Sequence, residues 1–256
     1  MLAAADDVAI RRLASHDDYA QCVAIQRETW GADFDEVVPP AILMVAQKVG
    51  GVAAGAFAAS GRLLGFVFGL AGVRDGRIVH WSDMLAVRPE ARQLGLGTRL
   101  KAYQRTLAIE AGATRMYWTY DPLVARNAHI NLVKLGARVV DYVRDMYGAS
   151  TGSVLHDGIG TDRFIVEWDL DPNAESGMRN ADSRDVALVE IPPDMEALLA
   201  RDPSEVRTWR DRTRTELTRL LAEGYVVAGL REDEGRVRYE LRGPQSAIGN
   251  PQGFRE

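Results

Sequence analysis

The chain has 256 residues, 46% hydrophobic and 26% charged, with a formal net charge of -5. That is the composition of a globular protein long enough for a full domain plus a smaller annex, and the acidic balance speaks against nucleic acid as its partner. The single cysteine, Cys22, excludes an intramolecular disulfide and a multi-cysteine metal site, and no apolar run reaches the roughly 20 residues of a membrane-spanning helix.

The first residues, MLAAADDVAIRR, are acidic where a secretory signal would be basic and then apolar, so a cytoplasmic protein is expected. Residues 8–13 read as a short strand. A helix over about 17–29 follows, capped by Asp17, with Cys22, Ile25 and Trp30 on its apolar side. Pro39-Pro40 introduces a second helix near 41–48. The apolar stretches 51–59, 62–73 and 77–87 are separated by Ser60-Gly61 and Asp75-Gly76, which predicts an antiparallel meander. After Gly95 and Gly97 comes a helix with Leu96, Leu100, Tyr103 and Leu107 on one face. A strand at 115–120, a helix at 124–135 and strands at 137–147 and 164–170 complete an α/β unit around a mixed, mainly antiparallel sheet flanked by helices.

The polar stretch 171–184 reads as a linker. Beyond it, a strand at 186–191, a helix over about 203–223 and strands at 225–230 and 237–241 predict a small α+β annex over 185–243. The helix's buried side is expected to carry Val206, Trp209, Thr213, Leu217 and Leu220, and residues 244–256 form a loose tail.

The sharpest local feature runs from Val87 to Thr98, where a strand ends, a turn follows and a helix starts at two glycines. The first turn of a helix has N–H groups without intrahelical partners and the positive end of the helix dipole, and glycine lets an anion approach closely. A diphosphate fits such a place, with Arg92 and Arg99 adding charge. Neither the dinucleotide-binding GxGxxG nor the GK[ST] of a Walker loop is present.

The run Arg92-Gln93-Leu94-Gly95-Leu96-Gly97 resembles the Q/R-x-x-G-x-G/A acetyl-CoA motif of GNAT acyltransferases, and Leu85-Ala86-Val87-Arg88-Pro89-Glu90 resembles the strand and turn that lead into it. The predicted element order over 1–170 is similar to that family's. The segment 121–131, Tyr147-Gly148 and Gly160–Phe164 resemble a branch of GNAT-like proteins with a C-terminal extension. The resemblance implies an acyl-CoA co-substrate, most simply acetyl-CoA. Backbone groups of Leu85, Ala86 and Val87 would pair with its pantetheine arm, the segment Arg92, Gln93, Leu94, Gly95, Leu96, Gly97 and Thr98 would hold its pyrophosphate, and the strand at 115–120 would splay from 82–87 around the thioester.

Transfer to an amine needs a base for the ammonium and a proton for the leaving thiolate. Asp83 is the expected base, against the alternative of a carboxylate that only hydrogen-bonds a neighbouring loop, and strict alternation puts it on one face with Trp81 and Leu85, with His80 opposite. The family's tyrosine acid has no counterpart, because its position holds Leu132; Tyr120 and Tyr147 are the candidates to replace it, against the alternative of ordinary core aromatics. Asn127 and Asn131, one helical turn apart, would bond the pantetheine or only cap and brace the helix. Trp30 and Phe34 are expected to wall the acceptor site and Trp118 to bound the acyl group. Arg163 would bind a substrate carboxylate or serve as a strut to Asp162 or Asp141. No residue cluster has metal-ligand spacing, so no metal is expected. The expected acceptor is a small amine or amino-acid-like metabolite. An acyl-CoA-binding regulator without catalysis and an enzyme for protein amines stay open, as does a homodimer built by the annex.

Overall fold

The computed structural model describes residues 8–148, 151–153, 158–171 and 185–244. The expected linker beyond Asp171 and the tail beyond Pro244 lie outside the described residues. Strands β1 (Ala9–Arg12), β2 (Val52–Phe57), β3 (Leu63–Arg74), β4 (Arg77–Val87), β5 (Arg115–Tyr120), β7 (Arg163–Asp169) and β6 (Arg138–Val143), in that order, form a mainly antiparallel sheet, and β8 (Val186–Ile191), β10 (Arg236–Arg242) and β9 (Val226–Asp233) form a second, smaller one. The described residues fall into two compact units, one of 8–118 with 151–153 and 170–171, the other of 119–148, 158–169 and 185–244.

In the first unit, Ser15 rather than Asp17 starts α1 (His16–Trp30). Its hydroxyl accepts the Asp18 amide while the Asp18 carboxylate accepts the Ser15 amide, a reciprocal cap. Arg11 of β1 forks onto the same carboxylate at 2.6 and 3.0 Å. A proline opens α2 (Pro40–Lys48), where its fixed φ suits the helix and its missing N–H is not needed. The meander β2 (Val52–Phe57), β3 (Leu63–Arg74) and β4 (Arg77–Val87) is as expected, and its second turn has positive φ at both Asp75 (51°) and Gly76 (71°), as a two-residue hairpin requires. Every β3 residue from Leu63 to Gly69 is buried because both faces are covered. Phe66 and Phe68 join Cys22, Ile25 and Leu43 under α1 and α2, while Leu64 and Val67 join Leu96, Leu100 and Leu107 of α3 (Leu96–Glu110). The parallel strand β5 (Arg115–Tyr120) follows.

In the second unit the expected helix at 124–135 is broken into α4 (Ala125–Ala128) and a π-helical turn, His129–Lys134. The strand expected over 137–147 ends earlier: β6 is Arg138–Val143, and Tyr147 lies in the turn after it. β6 pairs antiparallel with β7 (Arg163–Asp169). After β8 come α5 (Met195–Arg201), which the sequence pattern did not predict, then α6 (Pro203–Ala222), β9 (Val226–Asp233) and β10 (Arg236–Arg242). The buried stripe of α6 contains Arg210 beside Val206, Thr213, Leu217 and Leu220, whereas Trp209 is only half-buried. Tyr239 of β10 meets Phe164 of β7 edge-on at 5.2 Å and donates to the Pro122 carbonyl at 2.7 Å.

Candidate functional site

The loop between β4 and α3 is built as an open helix start. A 3-10 turn, Pro89–Leu94, leads into Gly95, whose left-handed φ of 64° a residue with a Cβ would adopt only under strain. α3 then begins without a side-chain cap and with no acid in its first turn, so neither its cap residue nor its first turn offers a side-chain acceptor to its leading amides. Leu96 is fully buried and pins the helix start to the sheet, while Arg92, Gln93 and Thr98 face solvent. Arg92 makes no ion pair among the described residues; Arg99 donates to the Val8 carbonyl at 2.9 Å. Arg88 is structural: it donates to the Leu63 carbonyl and pairs with Glu28.

Next to this loop β4 departs from a regular strand. Phe68 pairs with Met84 and Gly69 with Ser82, which leaves Asp83 as the extra residue of a β-bulge. The bulge reverses the alternation. His80 and Ser82 meet Gln104 and Lys101 of α3, but Met84 and Ala86 lie in the cluster under α1 and α2. A Cβ added at Gly97 would meet Leu85 Cδ2 at 3.6 Å, which puts Leu85 on the α3 side with His80 and Ser82. The expected face shared by Trp81 and Leu85 is therefore corrected: an inserted residue moves everything after it to the other side. Asp83 is open to solvent, yet desolvation by its surroundings raises its carboxyl pKa, against a hydrogen bond from the Trp81 indole that lowers it.

The parallel pairing of β4 with β5 covers only Val79–Arg115, His80–Met116 and Trp81–Tyr117. From Ser82 onward β4 offers that edge without a β5 partner. The first residues past the last pair, Ser82 and Trp118, are both touched by Lys101: its ammonium donates to Ser82 Oγ at 2.8 Å and lies 3.9 Å from the Trp118 ring centroid. Sequence reasoning passed over this lysine. Its signal was the row 97, 101, 104, 108 beside the apolar stripe of α3, which buries Lys101 and Gln104. Burial lowers the Lys101 pKa to about 7 and, with the nearby lysine charge, that of His80 to about 4.

The remaining predicted residues are placed as follows. Trp30 stacks on Phe34 at 5.5 Å and meets Phe66 edge-on at 6.4 Å; Phe34 is buried in the core, and Trp30 is half-buried against it. Tyr120 is buried against Phe164 at 5.7 Å, and burial raises its phenol pKa. Tyr147 shares a hydrogen bond of 3.1 Å with Thr119. Arg163 is buried; it donates to the Asp162 carbonyl, lies over the Tyr147 ring at 5.3 Å and stands 3.7 Å from Asp121. Asn127 is exposed while Asn131 is buried, so the π-helical turn does not give them a common open face. A buried ion pair of this unit was not foreseen. Arg210 forks onto Asp121 at 2.9 and 2.5 Å, and although burial alone would raise the Asp121 pKa, Arg210 and Arg163 hold it low. Among the described residues no group of three or more His, Cys, Asp or Glu could hold a metal ion, and no helix is long and apolar enough to cross a membrane.

Residues 20–137 match the family model described as the acetyltransferase (GNAT) family. The chain is similar in structure to yncA from Salmonella typhimurium, assigned as an acetyltransferase and solved with its cofactor acetyl-CoA. The two are 20% identical, the match covers 66% of this chain and 96% of that one, and the TM-score is 0.51. Ard1 from Thermoplasma volcanium aligns at 16% identity over 64% of this chain and 97% of its own, TM-score 0.48. An aminoglycoside 6'-acetyltransferase type Ii aligns at 17% identity over 64% and 98%, TM-score 0.49. No curated protein matches the chain in sequence.

Proposed function

Because residues 20–137 are a domain of the GNAT acetyltransferase family, we propose that the chain transfers an acetyl group from acetyl-CoA to a small amine or amino-acid-like metabolite. The observation that carries this reading is the uncapped start of α3 at left-handed Gly95, beside a β4 edge that β5 leaves unpaired after Trp81. The amides of residues 93–98 are suited to the pyrophosphate, with Arg92 as a nearby cation. The β4 edge at Leu85, Ala86 and Val87 is suited to the amides of the pantetheine arm, as an added strand would be. Asp83, at the bulge between these features, is the base that takes the proton from the acceptor ammonium. Its raised pKa supports the role, since a carboxylate of higher pKa is the stronger base.

The test is turnover of acetyl-CoA against a panel of amines and amino acids, followed by thiol release. Asp83→Asn is expected to lower kcat by about 10²-fold or more while acetyl-CoA affinity stays within about twofold of the parent. A second reading, acyl-CoA binding without transfer, is favoured by Leu132 at the place where the resemblance implies a tyrosine. Protection from thermal unfolding by acetyl-CoA with no thiol release from any amine would decide for it. Saturating acetyl-CoA that leaves the thermal midpoint unmoved would remove both.

A further inference from the structure

Between α3 and β4 the core is not apolar. Lys101 and Gln104 from α3 meet His80 and Ser82 from β4 there, and all four are buried. Gln104 Nε2 donates to the Phe68 carbonyl at 3.3 Å and lies 3.1 Å from His80 Nε2. As the amide nitrogen can only donate, His80 Nε2 is the acceptor and its proton is on Nδ1; neither Nδ1 nor Gln104 Oε1 has a partner among the described residues. Lys101 has the Ser82 hydroxyl and the Trp118 ring as its partners and no ion pair among the described residues. A buried ammonium without a counter-ion costs several kcal/mol in a real protein, and a methionine would fill the same space at no such cost. Its position gives the cost a purpose. The Lys101 ammonium touches the first residue of β4 and the first residue of β5 beyond their last pair, at the point where the two strands part.

We propose that Lys101 is the proton source for the leaving thiolate, supplied through the Ser82 hydroxyl, an assignment that rests on the acyl-transfer reading above. The acceptor ammonium gives one proton to Asp83, the amine nitrogen forms the new C–N bond, and the thioester C–S bond breaks. The sulfur takes the Ser82 hydroxyl proton as Ser82 takes one from Lys101. The nitrogen loses its second proton, Lys101 regains its own, and one proton in total passes to water. The direction of transfer is favourable: an ammonium with a pKa lowered to about 7 is a stronger acid than a thiol of ordinary pKa, about 8.5, whereas an unperturbed lysine is weaker. The groups facing the ammonium are His80 and Ser82 from β4 and the Trp118 ring from β5, with neutral Gln104 beside it on α3. Asp83 is the next residue along β4. His80 stays neutral, so no second positive charge competes for the proton. In this scheme Lys101 acts through Ser82 and is a positioning residue.

The experiment measures kcat from about pH 6 to about pH 9.5 at saturating acetyl-CoA and amine. It compares the full-length protein with Lys101→Met, Lys101→Arg and Ser82→Ala, and records acetyl-CoA affinity and thermal midpoint for each. The parent is expected to lose kcat on the alkaline side as Lys101 is deprotonated. Lys101→Met should lose that limb and about 10²-fold or more of kcat near neutrality, with acetyl-CoA affinity kept. Arginine keeps the charge and the donors but releases no proton in this range, so Lys101→Arg should stay as slow as the methionine variant. Full kcat in Lys101→Arg, or an unaltered alkaline limb in Lys101→Met, overturns the proposal. Should Lys101→Met not fold, Ser82→Ala decides, and a parental kcat and pH profile there overturns it equally. A parent protein that binds acetyl-CoA but releases no thiol would instead sink the acyl-transfer reading, so the two failures are distinct.

Discussion

His80 and Lys101 are bases whose pKa values lie below their ordinary ones in the folded chain, and this has a consequence for stability as well as for chemistry. The unfolded chain binds more protons than the folded one throughout each gap, so stability rises with pH across it. For His80 the window runs from about 4 to 6.5, and for Lys101 from about 7 to 10.5. Chemical denaturation is therefore expected to show a midpoint that climbs between about pH 7 and about pH 9, with Lys101→Met flattening that climb. An equal climb in the variant would assign it to other groups. None of this was legible in the sequence, where Lys101 reads as one more solvated charge on an amphipathic helix. Gly95 and Gly97 were legible, because a left-handed residue at a helix start needs glycine and a short motif records that need.

At the scale of elements, strand and helix periods identified nearly every segment, and failed wherever one residue was added or a turn widened. The bulge at Asp83 adds a residue without altering the apolar pattern of β4, so alternation carried through it put Leu85 on the wrong side. The π-helical turn after α4 likewise leaves the sequence looking helical while separating Asn127 from Asn131. In α6, the choice of Trp209 over Arg210 followed hydrophobicity, but Arg210 has a buried partner in Asp121. Breaking that pair should be costly: Arg210→Ala leaves the Asp121 carboxylate buried with Arg163 at 3.7 Å and is expected to lose about 3–5 kcal/mol of unfolding free energy in urea. The double variant Arg210→Met with Asp121→Leu removes both charges and should recover a large part of the loss. Additive losses would mean that the pair is not coupled.

For the molecule as a whole, most of the order of elements was legible in the sequence because each has its own period and its own stop signals, with α5 and the π-helical turn the exceptions. The grouping of those elements was not, since it depends on contacts between distant residues. The unit containing β8, α5, α6, β9 and β10 also contains 119–148 and 158–169. Tyr239, Arg210 and Arg214 supply partners to Pro122, Asp121 and Asp162 within it. A chain cut after Asp171 is thus expected to expose the Phe164 surface, bind a hydrophobic dye and lose cooperative unfolding, even though the family match ends at residue 137. A cut chain that unfolds cooperatively with the parental midpoint would argue for an independent annex.

The Asp121–Arg210 fork joins residues 89 positions apart. On a ribosome that adds about 5–20 residues per second, Asp121 emerges several seconds before the arginine that neutralises it. During that interval the carboxylate must stay hydrated, and the second unit closes around it only once α6 has emerged, which makes the stretch between Asp121 and Arg210 an aggregation-exposed stage of the chain's own production.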